Sequence, residues 1–177
     1  MTGLLRFIGV LNGAIWLGGA VFFTLVAGPA FFSDDMRRVL GDTNYPYYSG
    51  TIAQLVLKRY FLFLTVCGVI ALLRLLIQRL YLGRCGKFAV GLVVGLLALT
   101  LVGGYWLAPK LSALHTTRYT TQTAPAEQET AARSFRVWHA VSQAVNLLLI
   151  CGLGIHVWQA ARPVETSHYI DSVKFRG

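Results

Sequence analysis

The sequence predicts an all-α integral membrane protein: a four-helix bundle whose third and fourth helices extend beyond the bilayer. Three observations carry that expectation. Four stretches, residues 7–32, 60–78, 88–108 and 138–160, approach the ~20 apolar residues needed to cross a hydrocarbon core. Charged residues make up 13% of the chain, about half the ~25% usual in soluble domains. The basic residues behind the formal net charge of +9 gather at the ends of the apolar stretches, where they anchor helices at anionic headgroups. That placement makes membrane lipid a partner and argues against nucleic acid. Residues 1–162 are expected to form the transmembrane domain, and 163–177 a mixed C-terminal tail.

The first apolar run has only Arg6 ahead of it, is about 26 residues long and lacks a small-residue cleavage site, so it reads as a retained helix. Gly9 and Gly13 make a small-xxx-small pair that lets another helix approach closely, or they are simply glycines tolerated in a membrane helix. Gly28-Pro29 should bend or close this helix. Ser33 then offers an N-cap with Asp34 and Asp35 in the first turn, starting a short interfacial helix that stops at Gly41. Tyr45-Pro46-Tyr47-Tyr48 suits the headgroup level, and helix is expected to resume at Thr51.

Arg74, in the second span, falls near the far interface by rise per residue and should snorkel. Gly91 and Gly95 repeat the small-xxx-small spacing in the third span. Beyond Pro109 the helix can continue toward His115, and the threonine-rich tract 116–123 reads as the loop. Thr123 can cap a last helix of about 35 residues, or roughly 50 Å, which Pro163 ends. An even number of spans puts both termini on one side. Lysine and arginine tie at eight against eight across the two sides, so the wholly basic second loop decides, and both termini are placed in the cytoplasm.

The fourth helix carries the most informative pattern. His139, Ser142, Gln143 and Asn146 fall at i, i+3, i+4 and i+7, one polar stripe at one end of a spanning helix. Lipid offers such groups no hydrogen bonds, so the stripe must face protein or water. Asn146 and Thr24 should lie at similar depth, with Thr65 level and Thr100 slightly deeper. Together with the stripe they form an inter-helix hydrogen-bond network or line a small pocket.

Catalysis is thinly supported. Ser142 and His139 can touch, but no carboxylate lies within the spans to orient the histidine, and none serves proton-coupled transport. The three cysteines, Cys67, Cys85 and Cys151, form no C-x-x-C pair. His139 and His156 are seventeen residues apart on one helix, about 25 Å, too far to share an iron or copper. His115 and His139 could meet if helices three and four pack as a hairpin, with Glu127 or Glu129 as a third ligand.

Three stretches together resemble a known family. They are the glycine- and aromatic-rich residues 18–32 ending beyond Pro29, the Pro109-Lys-Leu-Ser-Ala-Leu114 continuation, and residues 135–147. The last is similar to an aromatic-x-x-W/L-H-x-x-S-x-x-x-N-L pattern. All resemble the transmembrane-protein-205-like family of four-helix membrane proteins, over about residues 4–161. The resemblance implies motif positions Phe22, Phe23 and Pro29 in helix one and His139, Ser142 and Asn146 in helix four. The chain departs from the family in an insertion-like segment over 42–48 and in His115, where arginine is commoner. A more distant similarity to copper-resistance and haem-linked bundles implies metal or haem at His139 as the alternative. The leading expectation is a non-enzymatic, cofactor-free membrane protein, either a stand-alone factor or an accessory or assembly subunit partnered by other membrane proteins or itself. A tail bearing Tyr169, Ile170, Val173 and Phe175 could dock on such a neighbour.

Overall fold

Four helices long and apolar enough to cross a membrane pack side by side in the computed structural model, which describes residues 2–82, 86–120 and 123–162. The expected tail lies outside those residues, as do Arg84 and Cys85. Helix α1 runs over Thr2–Phe22, widens into a π turn at Phe23–Ala27 and closes with Gly28–Ala30. Helix α2 is Asp34–Leu40, α3 is Tyr45–Leu82, and α5 is Pro125–Ala161. Between the last two, α4 spans Lys87–Val102, a second π turn at Gly103–Leu107, and Ala108–Tyr119.

Both π turns have the same local cause. Each is followed by an X-Pro step, Gly28-Pro29 or Ala108-Pro109. Proline cannot donate to the preceding turn, and its ring crowds the carbonyl four residues back. Stretching the turn to i→i+5 makes room, and the residue ahead of each proline donates across it: Gly28 to the Phe23 carbonyl, Ala108 to that of Gly103. Gly28-Pro29 therefore both distorts and ends α1.

The short helix α2 forms as its sequence predicts. The Ser33 hydroxyl accepts from the Met36 amide at 3.2 Å, and Gly41 terminates the helix at φ 73°, a conformation that costs a residue with a Cβ. Three expectations at the polar ends need correction. Helix resumes at Tyr45, not Thr51, because Pro46 sits in the first turn, where its missing N–H costs nothing. The threonine tract is helical to Tyr119: Thr116 and Thr117 return their hydroxyls to the carbonyls of Ser112 and Ala113, as Thr120 does to that of Thr116 just beyond the last turn. Finally, Ala124, not Thr123, precedes α5, and Gln128 ties the corner by donating to the carbonyls of Thr120 (3.0 Å) and Thr123 (3.1 Å).

The span Lys87–Tyr119 is about 50 Å long and Pro125–Ala161 about 55 Å, so both outrun a ~30 Å hydrocarbon core. Tyr45–Tyr81 has the same reach, so α3 joins the two helices expected to project. Trp106 and Trp138 meet edge-on at 5.2 Å with the Lys110 ammonium over both rings, the kind of aromatic and basic cluster enriched at headgroup level.

The core collects Trp16 and Ala20 from α1, Tyr60, Leu64, Cys67, Ala71 and Leu75 from α3, Val93 and Leu96 from α4, and Leu149 and Leu153 from α5. Asn12 is buried beside it and donates to the Cys67 carbonyl at 2.9 Å, tying α1 to α3. The glycines divide by role. A Cβ on Gly9 would fall 2.3 Å from Arg74 Cζ, and one on Gly13 would fall 3.1 Å from Val157 Cγ2. Those two positions therefore admit neighbours from α3 and α5. Gly91 and Gly95, at the same spacing, meet nothing within 4 Å. Nor does Arg74 simply snorkel: half-buried over Gly9, it donates from Nε to the Leu5 carbonyl at 2.9 Å.

Candidate functional site

Where α1 ends and α5 begins, the four long helices part around a cavity of about 510 Å³. Its walls are mainly apolar, with Phe23, Leu57, Phe61, Leu107, Leu111 and Val145 among them. It lies alongside both π turns. Along α5 the lining runs from Phe135 to Leu149, about 21 Å of helix rise.

All four residues of the predicted polar stripe line this cavity, at two levels. Asn146 lies toward the inner end, at the centre of a directed chain. The Tyr60 hydroxyl donates to Asn146 Oδ1 (3.2 Å), Asn146 Nδ2 donates to Thr24 Oγ1 (2.7 Å), and Thr24 donates to the Ala20 carbonyl (2.7 Å). The chain joins α3, α5 and α1, and successive bonds pointing one way polarise each other. Tyr60 is held in place by Phe23, whose ring stacks on it at 4.1 Å and 13°.

Nearer that aromatic and basic cluster, Gln143 Nε2 donates to His139 Nε2 at 3.3 Å, an i,i+4 pair. Ser142 is half-buried between the two levels and makes no hydrogen bond to His139. The i+4 amide holds the ring instead of the i+3 hydroxyl. Thr65 and Thr100 do not join the network. Each bonds back to a carbonyl of its own helix, Phe61 and Leu96, and both line a separate cleft between α3 and α4. The helix-one motif also divides: Phe23 and Pro29 line the cavity, whereas Phe22 is exposed on the outer face.

At the mouth, α4 supplies His115, Arg118 and Tyr119. His115 is 6% exposed, wedged between Tyr47 (5.8 Å), Tyr119 (4.9 Å) and Phe135 (6.2 Å), and its Nε2 has no hydrogen-bond partner. It fits only because residue 50 is glycine: a Cβ there would fall 2.2 Å from that nitrogen. Phe135 contacts both imidazoles, stacking on His139 at 5.7 Å and 8° as well as touching His115. Glu129, a suggested third ligand, is engaged by Arg133 at 2.7 Å. Among the described residues no three His, Cys, Asp or Glu side chains group as a metal site requires. His156 is far from this end, buried against Trp16 with ring centroids 6.1 Å apart.

Residues the sequence reading passed over complete the site. Tyr60 is one aromatic in an apolar run, with no spacing to distinguish it. Gln54 lines the mouth and its Oε1 accepts from the Ser112 hydroxyl at 2.7 Å, locking α3 to α4. Among the described residues Arg118 is the one lining residue with a fixed charge, and none of them puts a carboxylate on the cavity.

A family model described as "Domain of unknown function (DUF4149)" matches residues 11–120, which includes the α1, α3 and α4 sides of this cavity. No curated protein and no solved structure matches the chain.

Proposed function

The chain belongs to the DUF4149 family, and on that premise we propose that it works without catalysis, as a membrane factor that holds a guest molecule between its helices. The observation that carries this reading is the cavity itself. At about 510 Å³ it lies within the ~300–1,000 Å³ of small-molecule sites, and it joins apolar walls to a few convergent polar groups. Among the described residues the lining holds no acid to orient an imidazole, and His139 is already engaged by Gln143. Binding asks for nothing more than what is present.

The factor acts alone or as an accessory subunit beside other membrane proteins, with both termini in the cytoplasm. The basic character of the connection after α3, with Arg79 and Lys87 at its ends, supports that orientation. Labelling of single cysteines in intact cells tests it.

Binding is tested on full-length protein purified in mild detergent, by organic extraction with mass spectrometry and by titration with a fluorescent single-chain amphiphile. Ala53→Trp places an indole at a half-buried lining position. Saturable binding by the wild type, lost in A53W while the buried Cys67 stays shielded from thiol reagents, is the expected result. Equal binding by both proteins, or by neither, overturns the proposal.

A further inference from the structure

Resting on that reading, we infer that the guest is an amphiphile with one apolar chain and an anionic head, the head paired with Arg118 at the mouth and the chain reaching down to Asn146. Size sets the single chain. A methylene occupies about the space of a water molecule, roughly 30 Å³, so 510 Å³ holds on the order of seventeen such groups. That is on the order of one lipid tail. Depth agrees: the lining descends about 21 Å along α5, somewhat more than the ~15 Å half-thickness of a hydrocarbon core.

Position sets which end is the head. Trp106, Trp138 and Lys110 form the cluster suited to headgroup level, and Arg118 lies two turns of α4 beyond Lys110, about 12 Å. A molecule lying along the cavity thus has its polar end on the water side of that level and its tail among apolar walls. Charge sets the sign. Arg118 is not paired with any acid among the described residues, and its guanidinium lies over the Tyr119 ring at 5.0 Å. A planar fork with free donors suits a carboxylate or phosphate, and no acid among the described lining residues repels one.

The test compares four probes of equal chain length against the full-length protein: a fatty acid, an alkyl phosphate monoester, a fatty alcohol and an alkyl ammonium. The acid or the phosphate is expected to bind at least tenfold more tightly than the alcohol, and the ammonium weakest. Arg118→Gln is expected to erase that discrimination while leaving affinity for the alcohol unchanged, and Arg118→Lys to keep part of it. Whichever anion is preferred identifies the head as carboxylate or phosphate. Equal affinity for alcohol and anions, or discrimination that survives R118Q, overturns the anionic head and leaves the cavity reading standing. Failure of all four probes, with A53W no different from wild type, overturns the cavity reading itself.

Discussion

Replacing Asn146 by leucine, close to it in size, removes the centre of the chain that links three helices. Two bonds go: the 2.7 Å donation to Thr24 and the 3.2 Å acceptance from Tyr60. Interhelical hydrogen bonds in membranes average about 0.6 kcal/mol each, so the bonds alone contribute about 1.2 kcal/mol. The Tyr60 hydroxyl, on a side chain only 8% exposed, is then stranded without an acceptor. A buried polar group left in that state costs roughly 1–3 kcal/mol, which puts the total at about 2–4 kcal/mol. At about 2–4 °C per kcal/mol for a chain of this length, the melting temperature should fall by about 4–16 °C. The assay is thermal unfolding in detergent followed by reaction of buried Cys67 with a thiol-reactive dye, on a Cys85→Ser, Cys151→Ser background. A Thr24→Val partner variant completes a double-mutant cycle, with an expected coupling of about 0.6 kcal/mol. A leucine variant as stable as wild type would refute the reasoning, for it would mean these polar atoms contribute nothing to holding the helices together.

Three further outcomes follow from close contacts. Gly50→Ala should drive the His115 ring from its notch, since the new Cβ would lie 2.2 Å from Nε2; overpacking of this kind costs about 1–3 kcal/mol, and His115→Ala should restore most of it in a melting experiment. Gly9→Ala meets Arg74 Cζ at 2.3 Å and should lower stability by a similar amount, with the loss largely absent on an Arg74→Met background. In detergent-purified native protein a maleimide should leave buried Cys67 untouched until denaturant is added, as peptide mass spectrometry would read directly.

The four spans are legible because hydropathy over twenty residues needs no knowledge of neighbours, and the Ser33 cap and Gly41 stop because each is a local rule. The polar stripe is legible for the same reason: helical spacing alone puts His139 and Asn146 on one face. What sits across from that face is not. Tyr60 matters because Asn146 arrives opposite it, and neither residue's surroundings in the chain signal the meeting. Arg74 reads as a snorkelling residue until α1 presents bare backbone at Gly9 and a carbonyl at Leu5 for it to bind. Gly91 and Gly95 mislead the other way, since small residues permit close approach without requiring it. At the polar ends, Thr116, Thr117 and Thr120 are drawn into or onto the last turn of α4 by bonds to its own carbonyls, which composition counts as loop chemistry.

Each π turn is in effect one residue spliced into a regular helix, and one residue amounts to about 100° of rotation and 1.5 Å of rise. The outer segments of α1 and α4 are therefore out of phase with their own stems. Positions that a regular helix would turn toward lipid are turned inward, and the reverse. The cavity lies mostly along these re-phased segments, at and beyond Phe23 in α1 and Gly103 in α4. Two prolines thus give the bundle two registers, one in which side chains close on each other around Trp16 and Leu153, and one in which they stand apart. Deletion of a single residue from either wide turn would return that helix to one register and turn a different set of its side chains toward the space.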